Sequence, residues 1–126
     1  MVENPQILDA IKTVRSKIRW KPGSALRHLQ KRKLRGHLAT TATLVDYEAA
    51  ILAVLYDKSA RVYHYWYNQV AYVTVVGSVD NHEWLIMFAY DGLLESAFVI
   101  ERPEQYLRKP GFEYLGLLGE VDHELR

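Results

Sequence analysis

The stretch Arg61–Val76, RVYHYWYNQVAYVTVV, decides the fold because it carries two strands and the turn between them. Tyrosine, valine and tryptophan dominate it, and they alternate as side chains do in a half-buried strand. Asn68-Gln69 is the expected hairpin turn between the two strands. The two faces of the first strand carry Val62, His64 and Trp66 on one side, and Tyr63, Tyr65 and Tyr67 on the other. The sequence here predicts an antiparallel hairpin.

The strand pattern continues downstream and predicts four strands in all. After the first strand we expect strands at Val70–Val76, Glu83–Tyr90 and Leu93–Ile100. Between them we expect a loop over Gly77–Asn81 and a type I′ turn at Asp91-Gly92. Consecutive tight hairpins favour a meander. Beyond it the sequence predicts a helical turn at Pro103–Leu107 and a final segment that is either a short strand or a helix.

Helix signals precede the strands. Asn4-Pro5 is typical of a helix start, and the apolar spacing that follows predicts a helix ended by Pro22-Gly23. Ser24 is the expected N-cap of a second helix that Gly36 ends, and Thr43 that of a third. The sequence therefore predicts an α+β fold with two or three N-terminal helices on one face of a four-stranded antiparallel meander sheet. We expect one domain over 1–126, with a basic helical part (1–37), a helix plus sheet (38–101) and a C-terminal tail (102–126).

Composition excludes several classes of site. The chain has 126 residues, of which 49% are hydrophobic and 25% charged, as in ordinary globular domains. It has no cysteine, so disulfides and thiolate metal sites are excluded. Its five histidines are scattered, and it lacks a glycine-rich phosphate loop. We expect no metal and no cofactor. With no signal peptide and no long apolar run, we expect a cytoplasmic protein without a membrane partner.

Charge is distributed unevenly along the chain. The first 37 residues carry ten basic and two acidic side chains, a net charge of +8, whereas the remainder carries −7. Such asymmetry favours an anionic partner, and we expect RNA. The alternative is a basic helical surface beside an acidic remainder. The expected RNA-binding residues are Arg27, Lys31, Arg32 and Lys33, together with Tyr63, Tyr65 and Tyr67 for base stacking. The tyrosines have an alternative role in cross-strand packing.

A few residues suit metal-free cleavage of RNA. That reaction needs a base, an acid and fixed cations around the phosphate. His37 stands two residues from Arg35 at the end of the basic segment, and Ser96 lies in the last predicted strand. We expect His37 to act as base or acid, Arg35 to clamp the phosphate, and Ser96 to contact a phosphate or hydroxyl. Each has a structural alternative: a helix-end residue, a solvated cation and a half-buried strand residue.

The order of short motifs resembles a known family. The sequence shows RGH, then LVDYEAAILAVLYD, ARVYHYW, DGLLESAF and ERPEQYL. This order is similar to that of the barnase–EndoU–colicin D–RelE (BECR) group of RNase-fold domains, especially its phage-borne and polymorphic-toxin branches. The resemblance implies a toxin-like endoribonuclease fold in which Arg35 and His37 match the first catalytic cluster and Ser96 the strand hydroxyl. Ser96 stands where threonine is more usual, and the adjacent Glu95 adds negative charge.

Two functions of different classes follow from these patterns. The first is an RNA-binding, metal-independent endoribonuclease, for which the toxin-type resemblance also implies a neutralising protein partner. The second is a non-catalytic interaction module whose basic helices dock an acidic partner. An RNA site leaves Arg27, Lys31 and Arg35 exposed beside a concave surface. An interaction module buries them against carboxylates such as Glu113, Glu120 or Asp122.

Overall fold

A computed structural model describes residues 4–125, so residues 1–3 and 126 of the predicted domain lie outside the described range. Within that range the chain is α+β, with five helices and one six-stranded mixed sheet. The helices are α1 Pro5–Ser16, α2 Ala25–Leu34, α3 Leu44–Leu55, α4 Pro103–Tyr106 and α5 Leu118–Val121. The strands are β1 Arg19–Trp20, β2 Arg61–Tyr67, β3 Val70–Val79, β4 His82–Ala89, β5 Leu93–Val99 and β6 Phe112–Leu117.

The sheet is larger than the sequence predicts. Its strand order is β1-β5-β4-β3-β2-β6, and β2 to β5 form the expected antiparallel meander. The expectation of four strands is wrong, because β1 adds to β5 in parallel and β6 adds to β2 antiparallel. The first of these pairings sets Arg19 opposite Leu93, and the second sets Tyr65 opposite Phe112. Both edge pairings join segments distant in the chain, which local patterns do not reveal.

Two of the hairpins turn through residues with positive φ. Asn68 and Gln69 have φ values of 49° and 64°, as a type I′ turn requires. Asp80 and Asn81 have φ values of 51° and 66°, so they form a second turn of this kind. The predicted loop over Gly77–Asn81 is therefore wrong, because β3 continues to the residue before this turn.

The third hairpin has a different turn from the one predicted. The Gly92 N–H donates to the Ala89 carbonyl at 2.9 Å, which makes Tyr90 and Asp91 the central residues. Neither has a positive φ, whereas Gly92 has φ of 88°. The turn is therefore not type I′, and glycine supplies the left-handed residue that follows it.

Local capping explains where the long helices begin. The Asn4 Oδ1 accepts hydrogen bonds from the N–H groups of Gln6 and Ile7 at 3.1 and 3.2 Å. Thr43 and Asp46 form a capping box at the start of α3. Ser24 precedes α2 but makes no side-chain cap. Helix α1 ends before β1 begins, well short of the expected stop at residues 22–23.

Apolar side chains cover both faces of the sheet. On one face, α1, α2 and α3 pack against the sheet in the larger core, as the sequence predicts for the N-terminal helices. On the other face a smaller core lies beneath α4 and the chain that leads to β6. The buried residues of this smaller core are Tyr63, Val76, Leu85, Met87 and Ile100. The predicted tail is thus a structural layer that closes the second face.

A buried ion pair joins α1 to the C-terminal segment. Arg15 Nη1 lies 2.6 Å from Asp122 Oδ2, and the two side chains are 8% and 5% exposed. Arg15 Nε also donates to the Leu55 carbonyl at 2.7 Å. Burial disfavours the ionised form of Asp122, but hydrogen bonds from Arg15 and from the Glu124 N–H outweigh it and lower the pKa of that carboxyl. Through these two contacts Arg15 connects α1 to the end of α3 and to the C-terminal segment.

Candidate nucleic-acid site

An open cavity of about 730 Å³ lies between the end of α2, the outer edge of β5 and α4. Strand β1 covers β5 only at Leu93 and Leu94 within the described range, so α2 and the residues after it border the rest of that edge. We call this cavity the α2–β5 pocket. Its volume falls within the range of small-ligand sites, about 300–1,000 Å³.

The charge of the α2–β5 pocket is strongly positive. Among the described residues a single carboxylate, Glu101, lines it. Five cationic side chains line the same cavity, and these are Lys31, Arg32, Arg35, Arg102 and Lys109. A concave surface with this imbalance attracts anions and raises their local concentration.

The three residues predicted to act together line this one pocket. Arg35, His37 and Ser96 all contribute to its wall. Gly36 makes this arrangement possible, because its φ of 73° ends α2 in a left-handed residue. The backbone N–H of His37 then donates to the backbone carbonyl of Arg32 at 2.9 Å, as in a Schellman motif. The chain therefore folds back and places His37 beside the last turn of α2.

The His37 ring has a defined tautomer. Its Nδ1 lies 3.3 Å from Arg32 Nη1 and 3.3 Å from the Val99 backbone nitrogen. Both neighbours are donors only, so Nδ1 accepts and the proton of the neutral ring is on Nε2. Burial lowers the pKa of His37, and the positive charges of Arg32 and Arg35 lower it further. This geometry suits a neutral hydrogen-bond donor better than the expected acid–base role.

Arg32 is the most unusual side chain in the α2–β5 pocket. It is only 5% exposed, and no carboxylate of the described residues lies within 4.0 Å of its guanidinium. Its Nε is buried without a hydrogen-bond partner in this part of the chain. Burial lowers its pKa. The Phe98 ring, 5.6 Å away, is a weak substitute for an anion. Burying an unpaired cation in this way destabilises the fold, and a bound anion would offset that cost.

The other predicted RNA contacts lie mostly outside the α2–β5 pocket. Lys31 lines it, whereas Arg27 and Lys33 do not. None of the three tyrosines lines it either. Tyr63 is 8% exposed, and the Tyr65 ring stacks on Phe112 with a centroid distance of 4.1 Å. For these two residues the structure shows the cross-strand packing that was the alternative interpretation.

Several pocket residues escaped the sequence analysis. Three of them, Phe98, Val99 and Ile100, belong to the end of β5 and the residue after it. The others come from the segment that crosses the second face, and they are Glu101, Arg102, Gln105, Tyr106 and Lys109. The sequence carried a signal in ERPEQYLRK, where cations and one aromatic residue follow the last strand of the meander. The sequence predicts this segment only as part of a C-terminal tail with a helical turn, because nothing local shows that it packs beside α2 and β5.

The lowered histidine pKa predicts a pH dependence of stability. An unfolded histidine titrates near pH 6.5, and His37 titrates lower in the fold. Between these two values the unfolded chain binds more protons. Stability is therefore fully present above about pH 6.5 and decreases as the pH falls toward the folded pKa. We expect urea unfolding at pH 7.5, 6.5 and 5.5 to show this loss.

Substitution separates His37 from the other shifted histidine. The pKa of His28 is also lowered, first by burial and then by Arg32 and neighbouring cations. His37→Gln should remove part of the pH dependence, and His28→Gln combined with it should remove more. An unchanged pH dependence in His37→Gln would contradict the lowered pKa of His37.

Neither a membrane span nor a metal cluster is found within residues 4–125. No helix there is long and apolar enough to cross a bilayer. The same residues contain no group of three or more His, Asp or Glu side chains placed to hold a metal ion.

The chain was compared with known proteins in three ways. Comparison with protein-family models gives no match. Comparisons with curated proteins and with solved structures give no significant match. The resemblance to the RNase-fold group therefore stays a prediction. The function is inferred below from the chemistry of the α2–β5 pocket.

Proposed function

We propose that this chain binds RNA in the α2–β5 pocket and cleaves the bound phosphodiester without a metal ion. The observation that carries the proposal is the buried Arg32 guanidinium, which lines the pocket and has no carboxylate partner among the described residues. A guanidinium binds phosphate oxygens through paired, charge-assisted hydrogen bonds. A phosphate at this position gives Arg32 the anion that the described fold does not.

The surroundings of Arg32 favour a polymer over a small anion. Lys31, Arg35 and Lys109 are exposed around the pocket and extend the positive surface beyond one guanidinium. Phe98 and Tyr106 add aromatic surface to the wall. Cations combined with aromatic rings are the usual means of binding single-stranded nucleic acid.

The pocket residues can divide the cleavage reaction among them. Glu101 is the one carboxylate of the described pocket wall, so it takes the proton of the 2′-hydroxyl as the 2′-oxygen attacks phosphorus. Arg32 and Arg35 stabilise the charge that develops on the phosphate. His37 donates from Nε2 to a phosphate oxygen. The bond from phosphorus to the 5′-oxygen breaks, and the Lys109 ammonium protonates that oxygen. The products are a 2′,3′-cyclic phosphate and a 5′-hydroxyl.

The placement of the basic residues also bears on the alternative function. Arg27, Lys31 and Arg35 are exposed and form no ion pair with a described residue. Asp122, expected as one of their partners in an interaction module, is paired with Arg15 instead. This exposure supports a polyanion site. The cytoplasmic location and the neutralising protein partner stay predictions that accompany the proposed RNA function.

Arg32→Met tests the proposal directly. We expect wild-type protein to bind a short single-stranded RNA in EDTA, with an affinity that falls steeply as salt is raised. Arg32→Met should weaken binding by about 10- to 100-fold, since hydrogen bonds to charged groups contribute about 1.5–3 kcal/mol. Fluorescence anisotropy with a labelled RNA measures both effects. The free energy of unfolding should stay equal or rise, because the buried unpaired charge is removed.

Arg27→Met is the matched control for Arg32→Met. It removes the same charge from the same helix at an exposed position that does not line the pocket. We expect it to weaken binding less than about threefold, as for a surface charge. Salt-independent binding, or equal losses in the two variants, would contradict a phosphate site at Arg32.

A further inference from the structure

A second cavity, of about 660 Å³, adjoins the α2–β5 pocket. Three arginines line it: Arg61, Arg102 and Arg108. Two carboxylates, Glu83 and Glu104, also line it, so its charge remains positive. We call it the α4 pocket, because α4 forms one of its walls.

The two pockets share part of their walls. Arg102 and Gln105 line both of them. Arg102 is the N-cap of α4 and Gln105 lies within that four-residue helix, so a single helical turn separates the cavities. Both side chains are exposed. A ligand that fills the first pocket can therefore continue across them into the second.

The arginines of the α4 pocket differ in whether they form an ion pair with a described residue. Arg61 lies 3.4 Å from Glu83, and Glu83 also accepts a hydrogen bond from the Ser78 hydroxyl at 2.9 Å. Arg102 and Arg108 are exposed and have no ion pair with a described residue. The charge of Glu83 is thus balanced, and two guanidinium groups remain against the single carboxylate of Glu104, so the pocket keeps a net positive charge with which to contact an anion.

We infer that the α4 pocket is a second phosphate subsite and that the ligand is a continuous single strand of RNA. The inference rests on the proposed function and specifies its substrate. Arg32 contacts one phosphate in the α2–β5 pocket, Arg102 lies at the shared wall, and Arg108 contacts a phosphate further along the strand. A line of cations that follows a backbone is how proteins bind single strands without reading their sequence. A mononucleotide or trinucleotide fills the first pocket alone.

RNA length and salt dependence together test this inference. We expect Arg108→Met to weaken binding of a single strand of about ten nucleotides by roughly three- to tenfold. The slope of log affinity against log salt should become shallower by about 0.7, the value for one phosphate contact on a single strand. Binding of a trinucleotide should not change. The control Lys17→Met removes an exposed cation at the end of α1, outside both pockets, and should leave both affinities unchanged.

The outcomes distinguish this inference from the proposed function. If Arg108→Met leaves the longer RNA unaffected while Arg32→Met weakens it, the second subsite is wrong and the α2–β5 pocket stands. Equal losses for the trinucleotide and the longer RNA place Arg108 at the first phosphate and also overturn the inference. If wild-type protein binds neither RNA, the proposed function fails and the subsite fails with it.

Discussion

We expect Glu101→Gln to lower the rate of the proposed RNA cleavage in EDTA by about two to four orders of magnitude, the usual contribution of a general base. Glutamine keeps the shape of the side chain but cannot take the proton of the 2′-hydroxyl. Glu101 is exposed and forms no ion pair with a described residue, so the substitution leaves the fold unchanged. Single-turnover cleavage of an end-labelled single-stranded RNA measures the rate, and the product ends identify the cyclic phosphate.

Two further variants make this result specific. Glu104→Gln removes an exposed carboxylate from α4 that lines only the second cavity, and it should leave the cleavage rate within about threefold of wild type. His37→Gln should cost less than Glu101→Gln, because its amide can still donate a hydrogen bond. A larger loss in His37→Gln than in Glu101→Gln would return the role of base to the histidine. Wild-type protein that leaves RNA intact would refute cleavage altogether.

Asp122→Ala lowers the free energy of unfolding by about 3–5 kcal/mol, as expected when one partner of a buried ion pair is removed. The loss arises because Arg15 stays buried at 8% exposure with its charge uncompensated. Urea unfolding at pH 7 measures it. Lys21→Ala, which breaks the more exposed pair between Lys21 and Glu95, should cost less than about 1 kcal/mol. Equal losses in the two variants would contradict the importance of burial.

The same ion pair predicts behaviour in acid. The pKa of Asp122 is lower in the fold than the value near 4 of an unfolded aspartate. Its contribution to stability is therefore present above about pH 4 and is lost as the pH falls through the folded pKa. Replacing both partners, as in Arg15→Met with Asp122→Ala, should recover part of the loss and remove this part of the acid sensitivity.

Local signals account for what the sequence predicted of the fold. Alternation marked the four central strands, and the caps at Asn4 and Thr43 marked the long helices that begin there. The edge strands were less well predicted: β1 was not expected, and the segment that forms β6 was predicted only as either a strand or a helix. Strand β1 has two residues, Arg19 and Trp20, and exists only by pairing with β5. The paired segments lie far apart in the chain, so no window of sequence contains both.

The candidate site likewise combines residues that local sequence signals could group with residues that only tertiary packing reveals. Arg35 and His37 could be grouped from sequence because Gly36 ends a basic helix beside them. Ser96 was expected as a hydroxyl in the last predicted strand, and the resemblance matched it to the same site. Arg32 was expected only as one of several RNA-binding cations, since the sequence shows its charge but not its burial. Glu101 was missed because the residues after β5 cross the second face of the sheet, and only tertiary packing brings that segment to α2.

The outer positions of β1 and β6 also bear on the order in which the molecule assembles. Each edge strand pairs with a segment distant in the chain, whereas β2 to β5 are joined by tight hairpins. Closing a long loop costs more conformational entropy than closing a short one, so we expect the central meander to form first. The pocket lies between α2, which follows β1, and α4, which precedes β6. We therefore expect the α2–β5 pocket to form only after the central meander, so that a partly folded molecule lacks the proposed RNA site.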